Sequence, residues 1–384
     1  MIILHSGFDG LDISFRSAIS PELVARLESA KNEAEAVKQS VGIDLNGARF
    51  EVGPSGGIGG YAFVLDAGRC RGIWTIKKPN AKDPWGLAYS SRARPLAMKG
   101  IDYVREDIDM MLDALGCAVP NDGVSIRRVD YAIDFHDPSF VLDPYDFVTH
   151  SQTKSSTYLE LSDARVNGRS GRVSSATFGK MPGRQVIVYD KREEALAKNK
   201  LDWFFIWDEA MERLGQPAFD YSDPAGSRVW RTEFRLAKRA LRDRARIKGW
   251  ASLYSSLAGE LQKLTQDIEL RVPSETADRT DWTVHANWEV LRDVLSNELF
   301  EHEVEIDEVA LTAEDLRYKQ NEFLKLTAGH AITFAALEGV TASDIDAFLE
   351  DLPWRLQACV EQSPRSIADR LRDAKKKYGA LLST

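Results

Sequence analysis

The chain has 384 residues, 43% of them apolar and 28% charged, with a formal net charge of −9. That is room for one large or two ordinary domains, in the balance of a soluble globular protein. No apolar run approaches the roughly 20 residues that span a bilayer. The start, MIILHSGFDGLDISF, carries no basic leader or small-residue cleavage site, so export is not expected. Cys70, Cys117 and Cys359 are too few and too scattered for a disulfide framework or a CxxC metal site. The setting expected is reducing and cytoplasmic, with no membrane partner.

The charge is unevenly placed. Between Gly226 and Trp250 there are nine Lys/Arg against Glu233 and Asp243 alone. Between Glu260 and Val360 there are 22 acidic residues against eight basic ones. A local basic field attracts phosphates whatever the average, although each run read alone is equally a solvated face. The division expected is a working region over 1–255 and an acidic helical region over 256–384.

In chain order, residues 11–15 alternate as a strand, and Ser20-Pro21-Glu22 opens a helix to about residue 40. Strands at 49–52 and 61–65 flank the Gly-rich piece 53–60. Those glycines lead into another strand and no Gly-Lys-Ser/Thr follows, so a hairpin is expected rather than a phosphate-binding loop. A strand follows at 71–77. Apolar spacing predicts a helix over 101–115 with Gly116 as its stop, and 143–150 resembles a short helix. The aromatic run 203–207 reads as core rather than as a base-stacking platform. From residue 235 onward the pattern becomes almost wholly helical, with starts at Thr312/Asp315, Thr341/Asp344 and Ser363-Pro364.

Three strands carry polar residues at every second position. Over 127–135, Arg128, Asp130 and Asp134 share one face while Val129, Tyr131, Ile133 and Phe135 share the other. Paired carboxylates on a strand can hold a divalent cation; equally, they can pair with arginines such as Arg128 or Arg231 in a structural network. Over 230–236, Arg231, Glu233 and Arg235 share a face, either as a self-neutralised row or as a metal ligand between phosphate clamps. Over 185–191, Tyr189 and Lys191 fall on one face after a Gly/Pro turn. A phenol with an ordinary pKa near 10 is a poor nucleophile. A neighbouring ammonium and a bound phosphate would favour its ionised form. There is no His-x-His pair, zinc signature or Gly-x-Ser-x-Gly elbow. His136 follows the Asp134 strand and is either near the site or a solvated turn residue.

The three blocks RRVDYAIDF, SSATFGKMPGRQVIVYDKREE and WRTEFRL, in that order, resemble the transposase-like replication initiation factors. This family includes rolling-circle initiators of small plasmids, initiators of some filamentous phages, and certain conjugative relaxases. The opening stretch 8–15 also looks like the family's first strand, and the resemblance covers roughly residues 8–250. It implies an α+β fold with a mostly antiparallel sheet, helices on one face and a helical C-terminal region. It implies replication initiation by strand-specific DNA nicking. In that scheme Asp130, Asp134 and Glu233 hold Mg²⁺ or Mn²⁺, and Tyr189 attacks the scissile phosphate. Lys191 and Arg231 balance charge, supported by Glu194. The product is a 5′-phosphotyrosyl link with a free 3′-hydroxyl.

Contacts to DNA are expected from Arg128, Arg184, Arg235, Lys238, Arg239, Arg242, Arg246 and Lys248, the last six lying in a basic segment read as a helix. Partners implied are origin DNA, a host helicase and a possible second copy in a homodimer. A conjugative relaxase with the same chemistry and a non-catalytic origin-binding regulator are the other readings. Should Tyr189 not be the nucleophile, Tyr131, Tyr158 and Tyr221 come next. Where the family often places an arginine two residues before its tyrosine, this chain has Ile187, with Arg184 further upstream.

Overall fold

The structure is a computed structural model in which residues 1–150, 165–169, 172–198, 200, 202–276, 278–301, 308–363 and 365–377 are described. Tyr158 lies outside the described residues. The described strands are β1 (Ile2–Phe15), β2 (Val41–Leu45), β3 (Ala48–Val52), β4 (Phe63–Asp66), β5 (Gly72–Ile76), β6 (Leu87–Ser91), β7 (Val124–His136), β8 (Phe147–Thr149), β9 (Arg165–Arg169), β10 (Arg172–Lys180), β11 (Arg184–Asp190), β12 (Trp230–Ala237), β13 (Ile268–Val272) and β14 (Thr283–Val284). The helices are α1 (Pro21–Val37), α2 (Ala93–Ala114), α3 (Lys191–Ala197), α4 (Asp202–Arg213), α5 (Trp250–Asp267), α6 (Ala286–Asn297), α7 (Glu308–Leu337), α8 (Ile345–Glu361) and α9 (Ile367–Lys377).

Eleven strands form one sheet in the order β2-β3-β4-β5-β6-β1-β7-β12-β11-β10-β9, every ladder antiparallel. Alternation along β7, β11 and β12 separates two faces. Tyr131 sits opposite Phe234 and Phe234 opposite Val186, so the apolar side chains of three strands line up. Helices cover this side through residues at three- and four-residue spacing: Ile101, Val104, Ile108 and Met111 of α2, and Leu253, Leu257, Leu261 and Leu264 of α5. These belong to the same buried cluster as Ile13, Val129, Tyr131, Phe234 and Trp288. Each leucine so buried is worth roughly 1.5–3 kcal/mol of transfer free energy, and an acid in place of Leu257 would break the packing. A fold of this kind, α+β with a large antiparallel sheet, helices and a helical C-terminal region, is the one the sequence led us to expect, except that α4 packs Trp203 and Trp207 on the second face.

Of the places too tight for a side chain, two bear on the site. At Gly179, beside the β10–β11 turn, φ is +83° and an added Cβ would lie 2.4 Å from the Arg184 carbonyl oxygen. At Gly10, a Cβ would lie 2.9 Å from Asp130 Oδ2. The β1–β7 register shifts between Phe8 and Gly10, so Asp9 is the extra residue of a β-bulge, a device that re-aims a side chain.

Several local expectations change. Residues 143–150 form a 3-10 turn at Pro144–Asp146 and then β8, because Phe147 and Val148 pair with β13 instead of continuing a helix. Beyond residue 235 the chain is not wholly helical, since β13 and β14 join β8 in a second, three-stranded sheet. The basic segment is no continuous helix either: β12 runs to Ala237, a π-helical turn covers Arg239–Arg244, and Arg246 has φ +58°. The Gly-rich stretch is the expected β3–β4 hairpin, closed by a Gly57–Tyr61 bridge.

The chain divides into two compact units, Met1–Glu305 and Ile306–Thr384. The first therefore runs past the expected boundary at residue 255, because α5 and α6 bury their leucines and Trp288 in the sheet's own core. The second unit consists of α7, α8 and α9, with Phe334 of α7 edge-on to Phe348 of α8 at 5.5 Å. α8 begins after Asp344, three residues beyond the expected start at Thr341, and α7 begins at Glu308, ahead of Thr312. Among the described residues, no helix is long and apolar enough to cross a membrane.

Candidate active site

The polar side chains of β7, β11 and β12 meet on the sheet face opposite the α2 and α5 packing. Tyr189 stands opposite Arg231 across the β11–β12 ladder, Arg231 opposite Asp134, and Arg235 opposite Asp130 across β12–β7. Register thus sets arginines against carboxylates.

The deepest group is Arg231, fully buried. Its Nε and Nη2 donate to the two oxygens of Asp134, the latter at 2.7 Å, and Nη1 donates to Asp9 Oδ1 at 2.7 Å. Trp207 Nε1 donates to Asp134 Oδ2 at 2.9 Å. The Trp203 ring lies 3.8 Å from the Arg231 guanidinium and 4.7 Å from Lys191 Nζ. The 203–207 run is core, as expected, and also packs this charged pair. Asp9 is the residue that sequence reasoning missed, because a bulge position carries no alternation signal.

Tyr189 Oη donates to Glu233 Oε1 at 2.5 Å, and Lys191 Nζ lies 3.4 Å from the same phenol oxygen. The other Glu233 oxygen accepts from Arg235, Nε at 2.8 Å. Burial, followed by the negative charges of Glu233 and Asp9, pushes the Tyr189 phenol well above its usual range, with Arg231 opposing. The phenol is therefore protonated at rest and bonded to a base. Burial and the Arg231 charge lower Lys191, against Asp9, Asp134 and Glu194. Burial alone would raise Asp9 and Glu194. The Arg231, Lys191 and Lys200 charges instead hold Asp9 below its usual range, and Lys191 and its neighbours bring Glu194 to about 2. Burial pushes Asp130 up to about 6 against the pull of Arg128.

An open cleft of about 530 Å³ is lined by Tyr189, Lys191, Glu233, Arg235, Asp9 and Ser175, among others. Ser175 faces Tyr189 across the β10–β11 ladder. This cleft brings together Tyr189, Lys191, Glu194, Glu233 and Arg235 of the expected set, with Arg231 directly behind.

The three carboxylates expected to hold Mg²⁺ or Mn²⁺ do not fit a cation as they stand. Asp134 spends both oxygens on Arg231 and Trp207, Asp130 accepts two bonds from Arg128, and Glu233 is shared by Tyr189 and Arg235. Among the described residues no three His, Cys, Asp or Glu side chains are placed to hold a metal. The structural-network reading of these acids is the one their geometry follows.

Other expected residues lie elsewhere. Arg184 is on the opposite sheet face, opposite Leu236, and pairs with Asp267 at the end of α5. Lys238, Arg239, Arg242, Arg246 and Lys248 are exposed, so the basic segment remains available as a surface even without helical form. The place of the absent arginine at Ile187 is explained by register: Ile187 is opposite Glu233, whose charge is met by Arg235 from its own strand. His136 Nδ1 bonds the Arg228 carbonyl at 2.8 Å and packs edge-on to Phe219, in a structural role. Of the alternative nucleophiles, Tyr131 is fully buried and Tyr221 bonds Asp208 at 2.8 Å.

The site and fold define an α+β protein with a half-buried tyrosine bonded to a buried carboxylate, at a cleft lined by both acids and cations. No family model matches the chain. It is similar to the uncharacterized protein ORF430 of Pseudomonas phage Pf1, 26% identical over 244 residues, which cover 61% of this chain and 53% of that protein. The match thus spans about half the length of that relative. A solved structure of a rolling circle replication initiator protein from Geobacillus stearothermophilus aligns over 77% of this chain and 98% of its own, at 14% identity and a TM-score of 0.37.

Proposed function

We propose that this protein is a rolling-circle replication initiator that nicks one DNA strand through Tyr189. The observation that carries the reading is the 2.5 Å bond from the Tyr189 phenol to Glu233, at a cleft with Lys191 alongside. The ordered motif resemblance in the sequence supports the same assignment. Glu233 is the general base, held in place by Arg235. As a scissile phosphate enters the cleft, Tyr189 Oη attacks phosphorus and passes its proton to Glu233. The phosphorus–O3′ bond breaks, and the departing oxygen takes a proton to become a free 3′-hydroxyl. The 5′ side stays esterified to Tyr189. Lys191 balances the charge that builds on the phosphate. Arg231 acts from behind, fixing Asp9 and Asp134 beneath the reacting groups. The reverse attack by a 3′-hydroxyl rejoins DNA without ATP, since the ester bond energy is conserved.

The test uses a random-sequence pool of single-stranded oligonucleotides labelled at the 3′ end, incubated with the full chain in Mg²⁺, in Mn²⁺ or in EDTA. The expected result is a denaturation-resistant labelled protein that Tyr189→Phe does not form. An adduct that survives Tyr189→Phe overturns the nucleophile, and no adduct in any condition favours the origin-binding regulator. An adduct confined to Mg²⁺ or Mn²⁺ would return the acids of β7 and β12 to a cation-binding role once DNA is bound.

A further inference from the structure

Three lysines converge on one carboxylate beside the cleft. Lys191 Nζ lies 2.8 Å from Glu194 Oε2, while Lys198 Nζ and Lys200 Nζ lie 2.9 and 3.1 Å from Oε1. Lys191 is buried, but the Lys198 and Lys200 side chains are 63% and 45% exposed. All four residues line the cleft that holds Tyr189. One carboxylate cannot neutralise three ammonium groups. Of the other acids nearby, Asp9 bonds Arg231, which it shares with Asp134, and Asp190 pairs with Arg228 and caps the first turn of α3. Lys198 and Lys200 share the single oxygen Oε1 of Glu194, so neither exposed ammonium has a carboxylate of its own among these pairs. Each ammonium has three donors, and a single carboxylate uses few of the nine. Two exposed ammonium groups that share one carboxylate oxygen and face an open cleft form an arrangement that takes an oxyanion.

Resting on the nicking assignment above, we propose that Lys198 and Lys200, gathered by Glu194, form a second phosphate subsite for single-stranded DNA. It takes the phosphate next to the one Tyr189 attacks. Glu194 is a positioning residue here: it draws Lys198 and Lys200 to the Lys191 side of the cleft, so that adjacent phosphates meet adjacent cations. Attraction to phosphates releases counterions and makes single-strand affinity fall with salt, by a log–log slope of about 0.7 per neutralised phosphate. A subsite of two lysines therefore has a signature distinct from any effect on chemistry.

The experiment measures binding of a fluorescein-labelled dT20 strand across salt concentrations, in the full-length Tyr189→Phe background so that no covalent step intervenes. Lys198→Gln with Lys200→Gln should lower the slope by about 0.7, one phosphate's worth, and weaken binding at low salt, while Lys198→Arg with Lys200→Arg should keep the parent slope. On a fully methylphosphonate, uncharged strand, the Gln variant and its parent should bind alike. An unchanged slope overturns the subsite, as does a difference that persists on the uncharged strand. Thermal unfolding of both variants excludes a folding defect as the cause. Because this readout needs no adduct, the subsite and the tyrosine chemistry stand or fall separately.

Discussion

The phenol of Tyr189 and the carboxylate of Glu233 lie 2.5 Å apart on neighbouring strands, diagonal to each other across the β11–β12 ladder, with the phenol donating. Burial and the surrounding acids hold that phenol in its protonated form, so attack requires the proton to leave as the new bond forms. Glu233→Gln keeps the shape and removes the base. Adduct formation should fall by roughly 100-fold or more, with the thermal unfolding midpoint little changed. A Glu233→Gln protein reacting at the parent rate would sink this role.

Arg231 is expected to be a stability keystone as much as a participant. Arg231→Met would strand the buried carboxylate of Asp134 and the half-buried one of Asp9, at a cost of about 3–5 kcal/mol. Arg231→Lys should recover only part of it, since an ammonium cannot reproduce the forked bond to Asp134. Urea unfolding measures both, and equal midpoints for Lys and Met would contradict the geometry.

Glu194 gives a pH prediction with a definite sign. Its carboxyl titrates near 2 in the folded chain against an ordinary 4.5, because Lys191 and its neighbours outweigh the opposing effect of burial. A depressed acid contributes stability above its unfolded pKa and loses it as pH falls through the folded value. Glu194→Gln should therefore be less stable than the parent at pH 7, by about 1–2 kcal/mol after solvent screening. The gap should close between pH 4.5 and 2. Denaturant titrations at neutral pH and at two points inside that window read it directly, and a gap independent of pH would refute the linkage.

The exposed basic turn after β12 should bind duplex phosphates. Changing Lys238, Arg239 and Arg242 together to Gln should lower the salt slope of duplex binding by about 0.9 for each phosphate that is no longer neutralised. Fluorescence anisotropy over a salt series tests this, and an unchanged slope would remove the turn from the DNA-binding surface.

Much of this was legible in the residues because alternation is local. β7, β11 and β12 each announce which side chains share a face, and the family resemblance then picked Tyr189, Lys191, Glu233 and Arg231 from those faces. What alternation does not carry is register. Only the ladders reveal that Arg231 falls opposite Asp134 and Arg235 opposite Asp130, which turns an expected cation site into arginine–carboxylate pairs. Asp9 was hidden for the same reason, as a bulge lies off the two-residue period. The basic segment misled because its composition favours a helix, whereas Arg235, Leu236 and Ala237 are claimed by sheet pairing.

The bridge from Arg231 to Asp9 spans 222 positions of sequence. A ribosome that has released Tyr189 has not yet made Glu233 or Arg231, and until β12 docks between β7 and β11 the phenol has neither its base nor its buried support. Chains that end before β12 therefore carry Tyr189 without its carboxylate partner or the Arg231 network beside it. The surroundings of Tyr189 are thus completed in one step, when β12 closes the centre of the sheet.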